Sequence, residues 1–426
     1  MTALVIGAAV SGRAAASLLR SRGQKVVVYD RDPATLAGVE ADVAHGGEWD
    51  RSFLDGVDLV VPSPGVPEHA PPVADSLDAG LTIWSELELG YRHAGLPVMA
   101  VTATNGKTTI TEAAAAMLNA SGIRAAAVGN IGDPLSAVDP TRWDVLVVEA
   151  SSFQLRFVDS FHASAAVLLN VAPDHLDWHV TMERYVAAKQ RVLERQTGSD
   201  IVVFDADDPG AVTAVGPARA RLVPVSGSRR PAGGWGRDGD SLRVGDAVVP
   251  LADLGRSDAA FIVDLAAAAA GAMHLGASAA AVAAVAHTYR PGRHRRQLVG
   301  SWDGVDWVDD SKATNPHAAI AAIRAYPSVV LIAGGRAKGL DVTPLAGETN
   351  VRALIAIGEA ATALLAVAPG AKVAVTMEEA VALADAAARP GDTVLLAPGC
   401  ASFDMFSSYA DRGDRFAAAV LTRKEA

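Results

Sequence analysis

The sequence predicts an α/β protein of three domains, each built on a mostly parallel sheet with flanking helices. Three observations carry that expectation. Short apolar runs alternate with helical stretches from end to end, the pattern of strands joined by crossover helices. The stretch Val98 to Thr109 reads as a buried strand, a tight turn carrying Gly106-Lys107-Thr108, and the start of an alanine-rich helix. The 426 residues, 50% of them hydrophobic, suffice for two or three cores.

In chain order, residues 1–93 alternate apolar runs (Ala3 to Ile6, Lys25 to Tyr29, Val57 to Val61, Leu81 to Trp84) with helical stretches such as Arg13 to Arg20. The opening Gly7-Ala8-Ala9-Val10-Ser11-Gly12 has the outline of a dinucleotide fingerprint, with Ala9 at the middle glycine and Asp30 ending the second strand. A methyl group at Ala9 obstructs close approach of a pyrophosphate, which leaves a plain strand-to-helix turn as the stronger reading. Residues 94–289 start a second unit after Gly95-Leu96-Pro97, with strands at Asp144 to Val148, Ser164 to Leu169 and Ile201 to Phe204, then loops and edge strands over 227–243. Residues 290–426 form the third unit, with strands at Val329 to Ile332, Leu354 to Ile357 and Thr393 to Leu396. The first and third units are thus expected to be Rossmann-like and the central one a P-loop-type ATPase.

Composition excludes several classes. A formal charge of -11 argues against a nucleic-acid or anionic membrane surface. Cys400 is the only cysteine, so no internal disulfide can form, and a reducing compartment is expected. The run Met1 to Gly7 has no basic flank and is too short for a leader. The longest apolar tract, Ala259 to Leu275, is interrupted by Asp264 and His274 and reads as a core helix rather than a membrane span. A cytoplasmic monomer is expected.

The turn at 103–108 lacks the glycine of the usual P-loop spacing, since Val101 stands there, and therefore reads as a variant phosphate loop. Lys107 supplies a cation and Thr108 a hydroxyl for magnesium. Glu149 ends an apolar strand, where a parallel sheet faces its ligand crevice, and suits a metal-binding carboxylate. Asp174 and His175 emerge after the next strand. Lys189 falls on the apolar stripe of its helix, with Tyr185, Val186, Val192 and Leu193 one turn away. Such a lysine either snorkels to water or, held from it, populates a neutral amine that takes up carbon dioxide as an anionic carbamate. In the third unit the loops around 309–316, 333–339 and 397–406 each follow an apolar strand and converge on one side of the sheet.

Together these residues resemble the Mur ligase family, over essentially the whole chain and in the right order. The Thr104-Asn105-Gly106-Lys107-Thr108-Thr109 loop and the contexts of Glu149, His175 and Lys189 are those of the whole family, shared with folylpolyglutamate synthases. The strings Asp310-Ser311-Lys312-Ala313-Thr314-Asn315 and Cys400 to Phe406 resemble its D-glutamate-adding branch. The resemblance implies an ATP-dependent amide-forming ligase of peptidoglycan precursor synthesis that acts through an acyl phosphate on UDP-N-acetylmuramoyl-L-alanine and D-glutamate. It implies catalytic roles for Lys107, Glu149, His175 and a carbamylated Lys189, with Thr108, Glu149, His175 and Lys189 holding two Mg²⁺ ions. ATP would be held by residues 104–109 with Asp264, Arg295 and Asp310. Asp264 is the polar residue in the run Ala260 to Leu265, where related ligases carry His-Asn and a second Asn. Ser11, Asp30, Arg31, Gly65 and Asn130 would take the UDP substrate, and Lys312, Thr314, Lys338, Ser402, Phe403 and Tyr409 would take D-glutamate. A ligase for another amino acid or for folate stays open beside this. From other classes, so do a nicotinamide-dependent oxidoreductase using the first unit and a nucleotide-binding regulator without turnover.

Overall fold

Residues 1–425 are described by a computed structural model as three sheets of five, nine and six strands. The chain divides into two compact units: Met1–Val171 with Trp178–Tyr289, and the short segment Ala172–Asp177 with everything from Arg290 onward. The first unit contains the first two sheets and the second unit the third.

The first sheet is wholly parallel, in the spatial order Val43–Gly46, Lys25–Asp30, Thr2–Ile6, Leu59–Pro62, Thr82–Ile83. Its three central strands are runs of Val, Leu, Ile and Ala buried on both faces, as a helix-covered parallel sheet requires. The winding reverses beside Thr2–Ile6, which opens a crevice at the carboxyl end of that strand. The helix Val10–Ser21 starts three residues earlier than the stretch Arg13 to Arg20 indicates, because Val10, 70% exposed, contributes to the first turn without burial. Gly12 has to be glycine, since a Cβ there would fall 1.8 Å from the Gly7 carbonyl oxygen.

The nine-stranded sheet places Val98–Thr102 between Val145–Glu149 and Ala165–Leu168, all parallel. Three short strands, Trp235–Asp238, Ser241–Val244 and Ala247–Pro250, close one edge with antiparallel pairings, as the Gly- and Arg-rich stretch suggested. The tract from Ala259 is a helix, Ala259–His274, whose small side chains are almost all buried against this sheet. Among the described residues no helix is long and apolar enough to cross a membrane. The helix Glu86–Ala94 joins the first two sheets through buried acids. Glu88 accepts the N–H groups of Asp159, Ser160 and Phe161, the Ser160 hydroxyl and Arg92 Nε at 2.6 Å. Burial pushes its pKa up, but these donors outweigh it and leave the pKa lowered.

In the second unit the strand order is Gln297–Trp302, Val305–Asp309, Thr393–Leu396, Val329–Gly334, Val351–Ile357, Lys372–Ala374, with only the first pair antiparallel. The loops after Asp309, Gly334 and Leu396 therefore leave one edge side by side. The detached segment is fastened to this unit by Asn315, whose Nδ2 donates to Asp174 Oδ2 at 2.9 Å.

One acid in the middle sheet makes stability depend on pH. Asp205 ends Ile201–Asp205 beside Asp207 and Asp208; burial, reinforced by those two carboxylates against the Asp207 N–H, pushes its pKa up to about 7. The native state keeps this proton where the unfolded chain has already lost it. Stability from this group is therefore full below the ordinary carboxyl range and falls as pH rises to about 7. The Asp205→Asn variant is expected to gain in urea midpoint over the parent, by more at pH 8 than at pH 5. An equal difference at both pH values contradicts a buried neutral carboxyl.

Candidate active site

The strand Val98–Thr102 is buried along its whole length, so the chain surfaces only at the turn 103–106. Gly106 closes that turn with φ 91° and ψ -16° and serves as N-cap of the helix Lys107–Ala120, which no side chain caps. A Cβ on Gly106 would lie 2.4 Å from Asp264 Oδ1, so this position requires glycine both for its φ and for space. The same closeness brings Asp264, from the long alanine-rich helix, to the loop. Uncapped N–H groups at a helix start, with the macrodipole behind them, form an anion site.

Asn170 holds the turn from the other side. Its Oδ1 accepts the Asn105 N–H at 2.9 Å, its Nδ2 donates to the Asn105 carbonyl at 3.0 Å, and its own carbonyl accepts the Thr104 N–H at 3.0 Å. Thr104 Oγ1 meets the Tyr185 hydroxyl at 3.0 Å. Lys107 Nζ donates to the carbonyls of Ala103 and Thr104 at 2.7 and 3.0 Å.

Glu149, 2% exposed, aligns with Val101 in the neighbouring strand and reaches the helix start. Its Oε2 accepts the Thr108 hydroxyl at 2.8 Å and its Oε1 accepts Asn130 Nδ2 at 2.8 Å. Asn130, assigned by resemblance to the sugar, is thus tied to the carboxylate assigned to metal. Lys189 is 1% exposed on Met182–Gln190, as its place on the apolar stripe indicated. Its Nζ donates to the Ala103 carbonyl at 2.8 Å and to Thr102 Oγ1 at 3.3 Å, and lies 4.7 Å from the Tyr185 ring centre. Two lysines, 107 and 189, share one carbonyl oxygen. The structure thereby brings Lys107, Thr108, Glu149, Asn130 and Lys189 to one turn of the first unit. His175 belongs to the segment that groups with the second unit; its backbone is left-handed, with φ 54°.

At the first sheet's crevice, Asp30 Oδ2 accepts the Ala8 N–H at 2.7 Å and Oδ1 accepts the Asp32 N–H at 2.9 Å. Burial works against the ionised form, yet these N–H donors leave the pKa lowered. Ser11 is half-buried on the helix start, whereas Arg31 and Gly65 are exposed at the ends of the adjoining strands.

In the second unit, Lys312 Nζ stands 3.9 Å from the Tyr409 ring centre. Thr314 is half-buried two residues further on, Ser402 is buried, and Phe403 is 60% exposed. Lys338, with φ 52°, lines a shallow cavity of about 340 Å³ opposite Glu359. Asp310 Oδ1 accepts the Arg296 N–H at 3.0 Å, and Arg295 is half-buried beside it. Sequence reasoning passed over Arg412, which is fully buried beneath these loops, and Asn170. The available signal for Asn170 was its place directly after the strand flanking the phosphate turn.

A glycine turn opening an uncapped helix at the carboxyl edge of a parallel α/β sheet is the geometry of the nucleotide-binding class of proteins. Family models described as "Mur ligase MurD-like, N-terminal domain", "Mur ligase middle domain" and "Mur ligase, glutamate ligase domain" match residues 1–85, 101–229 and 294–400. The chain belongs to the Mur ligase family. It is 44% identical to a protein of Frankia casuarinae named "UDP-N-acetylmuramoylalanine--D-glutamate ligase", covering 99% of this chain and 94% of that one. A protein of the same name from Thermobifida fusca is 41% identical, with 98% and 97% covered. In fold alone the chain is similar to MurF from Acinetobacter baumannii (TM-score 0.63, 15% identity, 99% and 93% covered). It is likewise similar to a pseudomurein peptide ligase type C from Methanothermus fervidus (TM-score 0.60, 17% identity, 99% of each chain).

Asn170→Ala removes both side-chain bonds to Asn105 and leaves the rest of the turn intact. It is expected to weaken binding of a non-hydrolysable ATP analogue about tenfold, the scale of one or two lost hydrogen bonds, with little change in melting temperature. Calorimetric titration of the variant checks this; an unchanged dissociation constant means the turn holds its shape without Asn170.

Proposed function

We propose that this chain joins D-glutamate to UDP-N-acetylmuramoyl-L-alanine, converting ATP to ADP and phosphate, in the synthesis of peptidoglycan precursors. The single observation that carries the reading is the turn at 103–108, with Thr108 on Glu149 and two lysines on one carbonyl, in a chain alike from end to end to ligases of that name. Membership of the family sets aside the oxidoreductase reading of the first sheet. In this assignment residues 1–93 take the uridine diphosphate part through Ser11, Asp30, Arg31 and Gly65. Residues 94–289 take ATP, and residues 290–426 take D-glutamate through Lys312, Thr314, Lys338, Ser402, Phe403 and Tyr409. Arg295 and Asp310 take the ATP ribose. The compartment is cytoplasmic and the working form a monomer.

The chemistry is a relay of two bonds. The substrate carboxylate attacks the γ-phosphorus of ATP, ADP leaves, and an acyl phosphate results. The amine of D-glutamate attacks the acyl carbon, a proton leaves the nitrogen, and the intermediate collapses to amide and phosphate. The protein's part is positioning and neutralising charge. Lys107 swings from its loop carbonyls to the β- and γ-phosphates, and the N–H groups of residues 105–109 hold them at the helix dipole.

The donor chemistry fits magnesium. The Thr108 hydroxyl and the Glu149 carboxylate are hard oxygens 2.8 Å apart at the anion site, and Asn130 orients Glu149. Two Mg²⁺ ions fit the proposal: Thr108 would contact one, and Glu149 and Lys189 once carbamylated would hold metal, with His175 assigned to the same role by the family resemblance alone. Bound there, they would supply neutralisation of the charge that develops in the two transfers. The carbamate reading of Lys189 is supported by its burial, which withholds the side chain from water. The ammonium gives up one proton, and the neutral amine adds to carbon dioxide and releases a second, so that a buried cation becomes an anion.

Phosphate release measured with UDP-N-acetylmuramoyl-L-alanine, ATP and each amino acid in turn is expected to respond to D-glutamate. A response to L-lysine or meso-diaminopimelate instead rejects the reading. Lys189→Ala is expected to lose at least about a hundredfold in kcat, on the scale of lost electrostatic stabilisation, with partial recovery in acetate, which fills the vacated carboxylate position. Turnover by the variant at the parent's rate reduces Lys189 to a structural tether.

A further inference from the structure

We propose that Arg412 is a positioning residue for the amino-acid substrate, locking the loop that carries Lys312 to the loop that carries Ser402. The inference rests on the D-glutamate reading of those loops.

Arg412 lies one turn into the helix Tyr409–Glu425 and is 0% exposed. All three guanidinium nitrogens are used. Nε donates to Ser311 Oγ at 2.9 Å, Nη2 to the Ser311 carbonyl at 2.8 Å and Nη1 to the Cys400 carbonyl at 3.0 Å. Ser311 Oγ in turn donates to the Tyr409 carbonyl at 2.7 Å. One side chain therefore joins the residue before Lys312, the residue two before Ser402, and the aromatic residue over which Lys312 stands.

The third loop is attached to the same point. The backbones of Arg336 and Ala401 exchange two hydrogen bonds, at 2.9 and 3.0 Å, which ties the segment leading to Lys338 to the Cys400–Ser402 turn. All three acceptors of the guanidinium are neutral oxygens. Desolvation pulls its pKa down to about 10, partly offset by Cys400 and the nearby carboxylates of Asp404 and Asp309, and it remains a cation at neutral pH. Burying an arginine against neutral oxygens is a poor way to gain stability, since well-packed apolar groups do as well without the desolvation cost. What the planar fork provides, and a point charge cannot, is fixed geometry between three backbone segments.

The test compares Arg412→Lys and Ser311→Ala with the parent in the full three-substrate assay. Lysine keeps the charge and loses the fork, while alanine at 311 removes the hydroxyl link between Arg412 and Tyr409. Each is expected to raise the KM for D-glutamate about tenfold while the KM values for ATP and the UDP substrate stay within about twofold. A purely structural role lowers the active fraction, hence kcat, and leaves all three KM values together; that outcome overturns the proposal. If circular dichroism shows Arg412→Lys unfolded at the assay temperature, Ser311→Ala decides alone, and an unchanged D-glutamate KM in it is equally fatal. A parent that releases no phosphate with D-glutamate defeats the functional reading instead, which keeps the two failures distinct.

Discussion

The carbonyl oxygen of Ala103 is the point on which the chemistry of the middle sheet turns. It directly follows a strand with no exposed residue, so its position is set chiefly by the pairing of Val98–Thr102 with both neighbours. Because Lys107 and Lys189 both donate to it, the placement of two cations is inherited from sheet register. The parallel ladder allows no slip of one residue without turning every buried side chain to the other face. Rigidity at that oxygen lets a fourteen-residue helix begin, without a capping side chain, in a fixed direction. The start of that helix is the kind of backbone geometry that attracts anions.

In each of its two units the molecule uses buried polar side chains as joints. Glu88 gathers the N–H groups of the 159–161 turn, Asn170 brackets Asn105, and Arg412 holds Ser311 and Cys400. Each is satisfied at every position it offers to a neighbour, and a satisfied buried network specifies one arrangement where an apolar contact tolerates several. The two charged joints behave alike in electrostatic terms. Burial disfavours the charge of both, yet Glu88, with N–H and arginine donors around it, ends with a lowered pKa, and Arg412 ends with one still well above neutrality. Both remain ionised in use, so the geometry they impose does not vary with pH near 7.

Most of the site could be read from local pattern, and what could not be read depended on tertiary neighbours. Glu149 was legible because a polar residue ending an apolar run marks the carboxyl edge of a parallel strand. Lys189 was legible because helical periodicity put it among Tyr185, Val192 and Leu193, all of which are buried. The helix Met182–Gln190 stops short of that pattern and passes into a 3₁₀ turn, Arg191–Leu193, without moving Lys189 off the stripe. Arg412 was illegible: Asp411, Arg412, Asp414 and Arg415 in succession read as a solvated helix face. Only the approach of residues 311 and 400, brought in from strands far apart in the chain, buries one of the two arginines. Glu88 and Arg92 similarly read as an ordinary surface pair four residues apart; the 159–161 turn that covers Glu88 is 71 or more residues away. The Asn130 bond to Glu149 was also out of reach, since pairing between the strands Ala125–Gly129 and Val145–Glu149 sets it.

The choice of cation gives an independent view of the same sites. Of the 37 basic residues only seven are lysine, so arginine is the default positive charge in this chain. Four of those seven, Lys107, Lys189, Lys312 and Lys338, fall at strand-end loops or on the helix that reaches one. Two of the others, Lys25 and Lys372, are exposed in strands away from the ligand-facing ends. Arginine serves wherever a planar fork or a surface charge suffices, as Arg412 does. An arginine at 189 could form no carbamate and would remain cationic against a second cation. At 107 a compact ammonium on a flexible stem can leave two carbonyls for a phosphate, where a fork bonded in several directions is slower to let go. In the proposed reaction the charge on Lys107 would have to move and that on Lys189 to change sign, and both side chains start from the Ala103 carbonyl.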